Sequence, residues 1–292
     1  MIQLTIFTPT YNRAYTLTKL YNSLKQQTSK QFIWLIVDDG STDNTYELYQ
    51  DWIKENIIQI EYYRQKSNLG KAMAHNKGVE LTKTELFTCV DSDDALIHTA
   101  VEDILKCWNS RKYPDVVGLL AYKGFDDGRT LTYIKNQKIA TTTLRDGYRR
   151  YGLKGDTMLI YRRDIISQYS FPYFDDEKFV PEAFLYDLID CKGKLLILPK
   201  VLYICEYLND GYTKNMSKLL ARNPKGYLAF INQRLDLDNS TKYKLCDTIR
   251  YISICMVTNQ KHFILNSKYP LLAIISLPLG YLLYLKRFRI HK

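Results

Sequence analysis

No Cys-x-x-Cys pair occurs in this chain. Its six cysteines (Cys89, Cys107, Cys191, Cys205, Cys246 and Cys255) are scattered at irregular spacing, which indicates neither a structural zinc site nor a dithiol redox motif. The first residues, Met1-Ile2-Gln3-Leu4-Thr5-Ile6, carry no basic stretch and no apolar run long enough for export. The expectation is therefore a cytoplasmic chain whose cysteines are buried and reduced. There is no Gly-x-Gly-x-x-Gly fingerprint and no Walker loop, which removes the dinucleotide-binding and P-loop readings. No internal repeat and no signature of a DNA- or RNA-binding module is present, so no nucleic-acid partner is expected. Acidic residues are outnumbered, 31 against 41 basic ones, for a net charge of +10. With nucleic acid set aside, such a balance favours phosphorylated substrates or acidic lipid.

What is there is enough for a sizeable core. The 292 residues are 46% hydrophobic and 25% charged, an ordinary globular balance. The 25 tyrosines accompany frequent Lys, Ile and Asn and read as coding bias rather than as a functional aromatic surface. In the first third, strands and helices alternate. Leu4–Phe7, Phe32–Val37, Ile57–Tyr63 and Leu86–Val90 are short apolar runs. Between them, 14–27 places Leu17, Leu20, Tyr21 and Leu24 on one helical face, and 70–81 reads as a further helix. Ser41-Thr42-Asp43 offers caps for a helix around 46–49. The alternation predicts a mostly parallel sheet covered on both faces. Such sheets bind ligands beyond the carboxyl ends of their strands. Further on, the pattern predicts a helix over 100–108, a strand over 116–122, loops or a hairpin over 124–150 and a strand over 157–161. A helix over 181–191, a strand over 195–198 and helices from 214 onward complete the reading, with Pro224 at one break.

Four polar clusters each follow a predicted strand. Thr8-Pro9-Thr10-Tyr11-Asn12-Arg13 has a proline that stops the strand and an aromatic ring on which a base could stack, but on its own it reads first as a plain strand-to-helix turn. Asp38-Asp39-Gly40-Ser41 sets two carboxylates side by side, which persist where donors or a charge satisfy them. They could accept from a uracil N–H or ribose hydroxyls, or simply cap a turn. Asn68-Leu69-Gly70-Lys71 and the following Ala72, Ala74, Asn76 and Gly78 open a helix. Its first N–H groups could face an anion, and Lys71 could add charge beside a diphosphate. Asp91-Ser92-Asp93-Asp94 crowds three carboxylates into four residues, a costly arrangement without a cation. Mg²⁺ or Mn²⁺ would suit one or two such carboxylates plus substrate phosphates.

In this order the four clusters resemble the family 2 glycosyltransferases of GT-A fold. The resemblance is close over about the first 100 residues and looser beyond. It implies an α/β GT-A sheet flanked by helices, with a helical C-terminal extension. The expected organisation is a catalytic domain over 1–212, with a nucleotide-binding half (1–98) and an acceptor half (99–212), followed by a helical region over 213–292. It further implies that Pro9, Tyr11, Asp39, Lys71 and Asp91 line the nucleotide, with Tyr11 and Asp39 at the base. Asp93 would ligate Mn²⁺ or Mg²⁺ on the donor diphosphate. The family's catalytic base is an acid ahead of a helix in the second half, where Glu182 is the best match. Ala183 replaces the usual second acid, which leaves Asp187, Asp175 and Asp176 as substitutes.

The implied reaction is a single inverting displacement. It would move a sugar from a nucleotide sugar, expected to be a UDP-sugar, to a glycan or lipid-linked acceptor in cell-surface polysaccharide synthesis. One base and one cation suffice, because a diphosphate leaving group needs no general acid. The alternatives are a non-catalytic scaffold homologue in a membrane polysaccharide-assembly complex, which the complete acidic cluster argues against, and a nucleotidyltransferase, whose Gly-rich N-terminal loop is missing. Oligomerisation is left open.

The final segment differs from the rest. Residues 269–285 are almost continuously apolar, interrupted by Pro270, Pro278 and Gly280, and a basic stretch (286–292) follows. The run is slightly short for a span of about 20 residues, and Pro278 could divide it. Its basic flank suits the inner face of a membrane, at about 1 kcal/mol per Lys or Arg. Peripheral attachment there is the expectation, with a span and an ordinary packed helix as the other readings.

Overall fold

The computed structural model describes residues 2–206 and 212–289. It divides into two units, Met1–Ser170 with Leu188–Glu206, and Phe171–Asp187 with Tyr207–Lys292.

The first unit opens with β1 (Leu4–Thr10), α1 (Ala14–Lys25) and β2 (Phe32–Asp38). Every residue of both strands is buried, as continuous apolar runs are when a parallel sheet is covered on both sides. The predicted stripe of α1, Leu17, Leu20, Tyr21 and Leu24, is the buried one. Next come α2 (Thr45–Glu55), β3 (Ile60–Arg64), α3 (Lys71–Leu81) and β4 (Leu86–Cys89). Tyr21, Trp34, Tyr49 and Trp52 pack ring on ring in the core under these elements. β1 pairs in parallel with β2 on one side and β4 on the other, and β3 lies outside β2. The chain thus walks outward from β1 to β3, then returns to β1's other edge. That reversal is a topological switch point, and its crevice at the strands' carboxyl ends is where open α/β sheets take ligands.

The unit continues with β5 (Ala95–Leu96), α4 (Ala100–Asn109), β6 (Gly118–Gly124), β7 (Tyr133–Ile134), β8 (Thr141–Thr142) and α5 (Leu144–Arg150). Then follow β9 (Leu153–Lys154), β10 (Thr157–Arg162), α6 (Arg163–Ile166), α7 (Ala183–Ile189), which straddles the two units, and β11 (Leu195–Ile204). The main sheet has nine strands in the order β3-β2-β1-β4-β10-β6-β11-β5, with β8 beside β11. β10 is antiparallel to both its neighbours, so β6 and β11 again run with β1 to β4. The sheet is therefore mixed but mostly parallel.

Three local expectations are corrected. Pro9 does not stop β1, which runs through it to Thr10 in register with Asp38. The Phe7 carbonyl takes the Val90 N–H, and the Thr10 carbonyl takes the Asp39 N–H. Alternate residues face opposite neighbours, so the nitrogen of Pro9 faces the β4 side. Pairing there has already ended at Cys89, and no ladder bond is lost. The stretch 124–150 holds the helix α5, started by the Thr143 hydroxyl accepting from the Asp146 N–H at 3.1 Å. The third strand starts at Ile60 rather than Ile57, because Asn56 takes a left-handed conformation to end α2.

In the second unit, α8 (Tyr212–Arg222), α9 (Pro224–Leu237), α10 (Thr241–Val257) and α11 (Pro270–Arg287) pack with 171–187. Their core includes Phe179, Tyr227, Phe230, Ile231, Tyr251 and Ile252. Pro224 begins α9, where its missing N–H costs nothing. The Glu177 carboxylate caps the same end, accepting from Lys225 N and Gly226 N at 2.8 Å each. Pro278 does not divide α11. The helix is held to α10 on both sides of the proline by buried Ala273, Ser276 and Gly280. A Cβ on Gly280 would stand 2.5 Å from Ile252. Ile290, His291 and Lys292 of the basic stretch lie outside the described residues, as do 207–211 beside the expected 212/213 boundary.

Candidate active site

The loops at the carboxyl ends of β1 and β2 are tied to each other by their own hydrogen bonds. Asn12, in the left-handed region at φ 52°, donates its N–H to the Ser41 hydroxyl at 2.9 Å. Its side-chain oxygen accepts from the Thr42 N–H at 2.8 Å. Asn tolerates this backbone better than most residues. Asp43 accepts from Ala14 N at 3.1 Å and from the Thr45 hydroxyl at 2.6 Å. Beside this brace the Tyr11 ring is 42% exposed, open enough for a flat ligand to stack on it.

The paired carboxylates of the second cluster divide their work. Asp38 is fully buried and accepts from the Ser41 N–H at 2.8 Å and the Tyr62 hydroxyl at 2.5 Å. Asp39 is also buried and reaches across to the loop before α3. It accepts from Leu69 N at 2.8 Å, Gly70 N at 2.7 Å and the Gln65 side-chain amide. Asp39 therefore joins the end of β2 to the start of α3, a structural duty that sequence reasoning did not assign to it. Gly40 sits at φ 80°, and a Cβ there would approach Ser67 to 3.0 Å, so only glycine fits the turn.

α3 lies close on β1 because its inner face is small. A Cβ on Gly78 would stand 2.4 Å from the Phe7 ring, and Ala74 is fully buried. His75 fills the remaining space, edge-on to Phe7 and Phe87. Ala74 and Gly78 thus serve close packing of α3 on β1. At the start of the helix, Lys71 meets Asp91 at 2.6 Å.

This ion pair sets the electrostatics of the fourth cluster. β4 ends at Cys89 while β1 runs on to Thr10, and Asp91 to Asp94 turn away into the crevice. Burial pushes the Asp91 carboxyl up, but the Lys71 and Lys123 ammonium groups outweigh it, and the net direction is down. Asp94 moves the other way, raised by burial and by Asp91. Its carboxylate accepts from the Tyr203 hydroxyl at 2.6 Å and the Glu206 N–H at 2.7 Å. The same Tyr203 oxygen accepts from the Asp91 N–H at 3.0 Å, and Lys123 lies over the Tyr203 ring at 3.8 Å. Asp93 differs from both. It too is raised, by burial and then by Asp91, yet no other described residue gives its carboxylate a hydrogen bond or ion pair.

A hard divalent cation suits that arrangement. No three His, Cys, Asp or Glu side chains converge among the described residues, so a cage made of protein alone is not built here. One carboxylate that no other described residue engages, beside the charge of Asp91, suits a Mg²⁺ or Mn²⁺ completed by phosphates and waters. Tyr203 and Lys123 escaped the sequence reading. They come from β11 and β6, distant in sequence, and no spacing distinguishes Tyr203 from the other tyrosines.

Pro9, Tyr11, Asp39, Lys71, Asp91 and Asp93 all belong to the first unit, on or just after its strands' carboxyl ends or at the start of α3. Glu182 belongs to the second, exposed directly before α7, where its carbonyl accepts the Leu185 N–H. The substitutes named with it are engaged in that unit. Asp176 pairs with Lys225 at 2.7 Å, Asp187 is buried 4.0 Å from Arg234, and Asp175 takes a hydrogen bond from Tyr173.

Comparison with known proteins converges on one family. Residues 5–170 match the family model described as Glycosyl transferase family 2. A teichoic acid poly(glycerol phosphate) polymerase of Staphylococcus epidermidis is 34% identical over 110 residues, 38% of this chain and 15% of that protein. Glycosyltransferase GlyG of Streptococcus pneumoniae serotype 4 is 28% identical over 144 residues, 48% of this chain and 46% of that one. The matched region thus spans less than half of either relative. Among solved structures, residues 1–349 of S. aureus TarS in complex with UDP-GlcNAc superpose with a TM-score of 0.63 at 17% identity. That match covers 99% of this chain and 92% of the other. A mannosyltransferase from Pyrobaculum calidifontis, solved with GDP-Man and Mn²⁺, gives 0.54 at 14% identity, covering 97% and 87%. These likenesses establish a GT-A fold.

Proposed function

Because the chain belongs to glycosyl transferase family 2, we propose that it is an inverting, cation-dependent transferase. It moves a sugar from a UDP-sugar to a glycan or lipid-linked acceptor in cell-surface polysaccharide synthesis. The observation that carries this reading is the divided acidic cluster: Asp91 neutralised by Lys71, Asp94 held by Tyr203 and Glu206, and Asp93 left for a ligand. The UDP and UDP-GlcNAc complexes of TarS, the Mn²⁺ of the mannosyltransferase and the polymerase relative support it.

In this reading Tyr11 stacks on the base, and Pro9 and Asp39 fix the loop walls around it. Asp93 would hold Mg²⁺ or Mn²⁺ for the donor diphosphate. When bound there, such a cation would offset the negative charge that grows on that leaving group. The acceptor oxygen attacks the anomeric carbon as the bond from that carbon to the diphosphate oxygen breaks, and the bonding pair leaves with the diphosphate. Glu182 takes the acceptor's hydroxyl proton. Lys71 keeps Asp91 ionised and oriented beside the site.

The test is donor turnover by purified Asp93→Ala and Glu182→Gln chains across a panel of UDP-sugars. Asp93→Ala is expected to lose turnover while keeping its fold. Glu182→Gln is expected to bind donor but transfer at least about a hundredfold more slowly. Normal transfer by either variant would remove that residue from its role, and release of pyrophosphate instead of UDP would overturn the reaction class.

A further inference from the structure

The helix α11 is built inside out for a helix in water. Its small residues, Ala273, Ser276 and Gly280, are the buried ones against α10. Its large apolar residues point outward. Leu271 is 79% exposed and Ile275 71%, and Ile274, Leu279 and Leu282 are each more than half exposed. Leu271, Ile274, Ile275, Pro278, Leu279 and Leu282 follow the i, i+3, i+4, i+7, i+8, i+11 spacing of one helical face. A contiguous apolar surface of this kind marks an interaction site.

Charge says what covers it. The exposed arc continues into Lys286 and, beyond the helix, Arg289, both exposed, and 269–292 contain no acidic residue. Lys268, at the other end, is already paired with Asp236. A second copy of the chain would bring the same face, with the same two cations and no anion to meet them. A bilayer with acidic headgroups offers both an apolar layer and the missing negative charge.

We propose that α11 is a monotopic membrane anchor that lies in the plane of an anionic bilayer, with Leu271, Ile274, Ile275, Leu279 and Leu282 in the acyl layer and Lys286 and Arg289 at the headgroups. By length and composition alone, Pro270–Arg287 could also cross a membrane. Its packing opposes that. α10, pinned to it at Ile252 and Gly280, carries Lys242, Lys244, Asp247 and Arg250. A spanning α11 would have to leave this partner or carry those charges into hydrocarbon. The inference stands on this helix and survives failure of the donor reading, just as UDP-sugar turnover can be measured without vesicles.

Flotation of the full chain with vesicles tests it. Wild type is expected to rise with phosphatidylglycerol-containing vesicles and much less with phosphatidylcholine alone. The triple variant Ile275→Gln, Leu279→Gln, Leu282→Gln is expected to bind at least about tenfold more weakly, with unchanged melting temperature and oligomeric state. Lys286→Glu with Arg289→Glu is expected to erase the preference for acidic lipid. The proposal is overturned if wild type stays in the buffer, if the triple variant floats like wild type, or if its melting temperature falls, since that face would then be packed in solution. It is equally overturned if wild type is a dimer that the triple variant splits, with neither binding vesicles.

Discussion

At the scale of single residues, Tyr203 clamps both ends of the turn from Asp91 to Asp94. Its one oxygen donates to Asp94 and accepts from the Asp91 N–H, which fixes the turn that carries Asp93. Tyr203→Phe leaves the buried Asp94 carboxylate short of a donor. The expected cost is about 1–3 kcal/mol in denaturant unfolding, with transfer reduced more than binding of UDP alone. Normal transfer by the Tyr203→Phe chain would contradict a positioning role. Lys71→Met is expected to weaken donor binding, since Asp91 then adds its charge to that of Asp93 beside the diphosphate. The check is a donor KM that rises by more than about tenfold, and an unchanged KM would place Lys71 outside the site.

At the scale of elements, α3 and β1 depend on a missing side chain. Gly78→Ala drives a Cβ into the Phe7 ring, which is already packed against His75 and Phe87. Overpacking there is expected to cost about 1–3 kcal/mol, measured as a lower unfolding midpoint. Thr143→Ala removes the α5 cap for about 1 kcal/mol. These two elements also show what the sequence discloses. β1, β2 and β4 were legible because a buried parallel strand is an uninterrupted apolar run, and α1 because its stripe repeats at helical spacing. α5 was not: Leu144–Arg150 has seven residues, three of them arginines, and its boundary signal is one threonine. The acidic cluster was legible because its crowding is local. Tyr203, Lys123 and the attachment of Asp39 to Leu69 and Gly70 were not, because each contact is made by the sheet's strand order or by a loop some thirty residues away.

At the scale of the whole molecule, α11 serves the fold as well as any surface it meets. Ala273 and Phe288 are buried in the core of the second unit with Tyr251, Ile252 and Ile254. Truncation after Lys268 would expose those α10 side chains to water. The truncated chain is expected to aggregate or to melt earlier, rather than simply becoming more soluble. A truncated chain that melts like wild type would show that the helix is dispensable to the fold. The net charge of +10 suits both of the anionic partners proposed, a sugar nucleotide at one unit and acidic lipid at the other.

Calorimetric titration of UDP into the purified chain, with Mn²⁺ and then with excess EDTA, tests the central claim most directly. Wild type is expected to bind UDP with Mn²⁺ and to lose at least about tenfold in affinity without it, whereas Asp93→Ala binds equally weakly in both conditions. Equal, tight binding of UDP in EDTA, or an Asp93→Ala chain that still responds to Mn²⁺ as wild type does, would contradict the account.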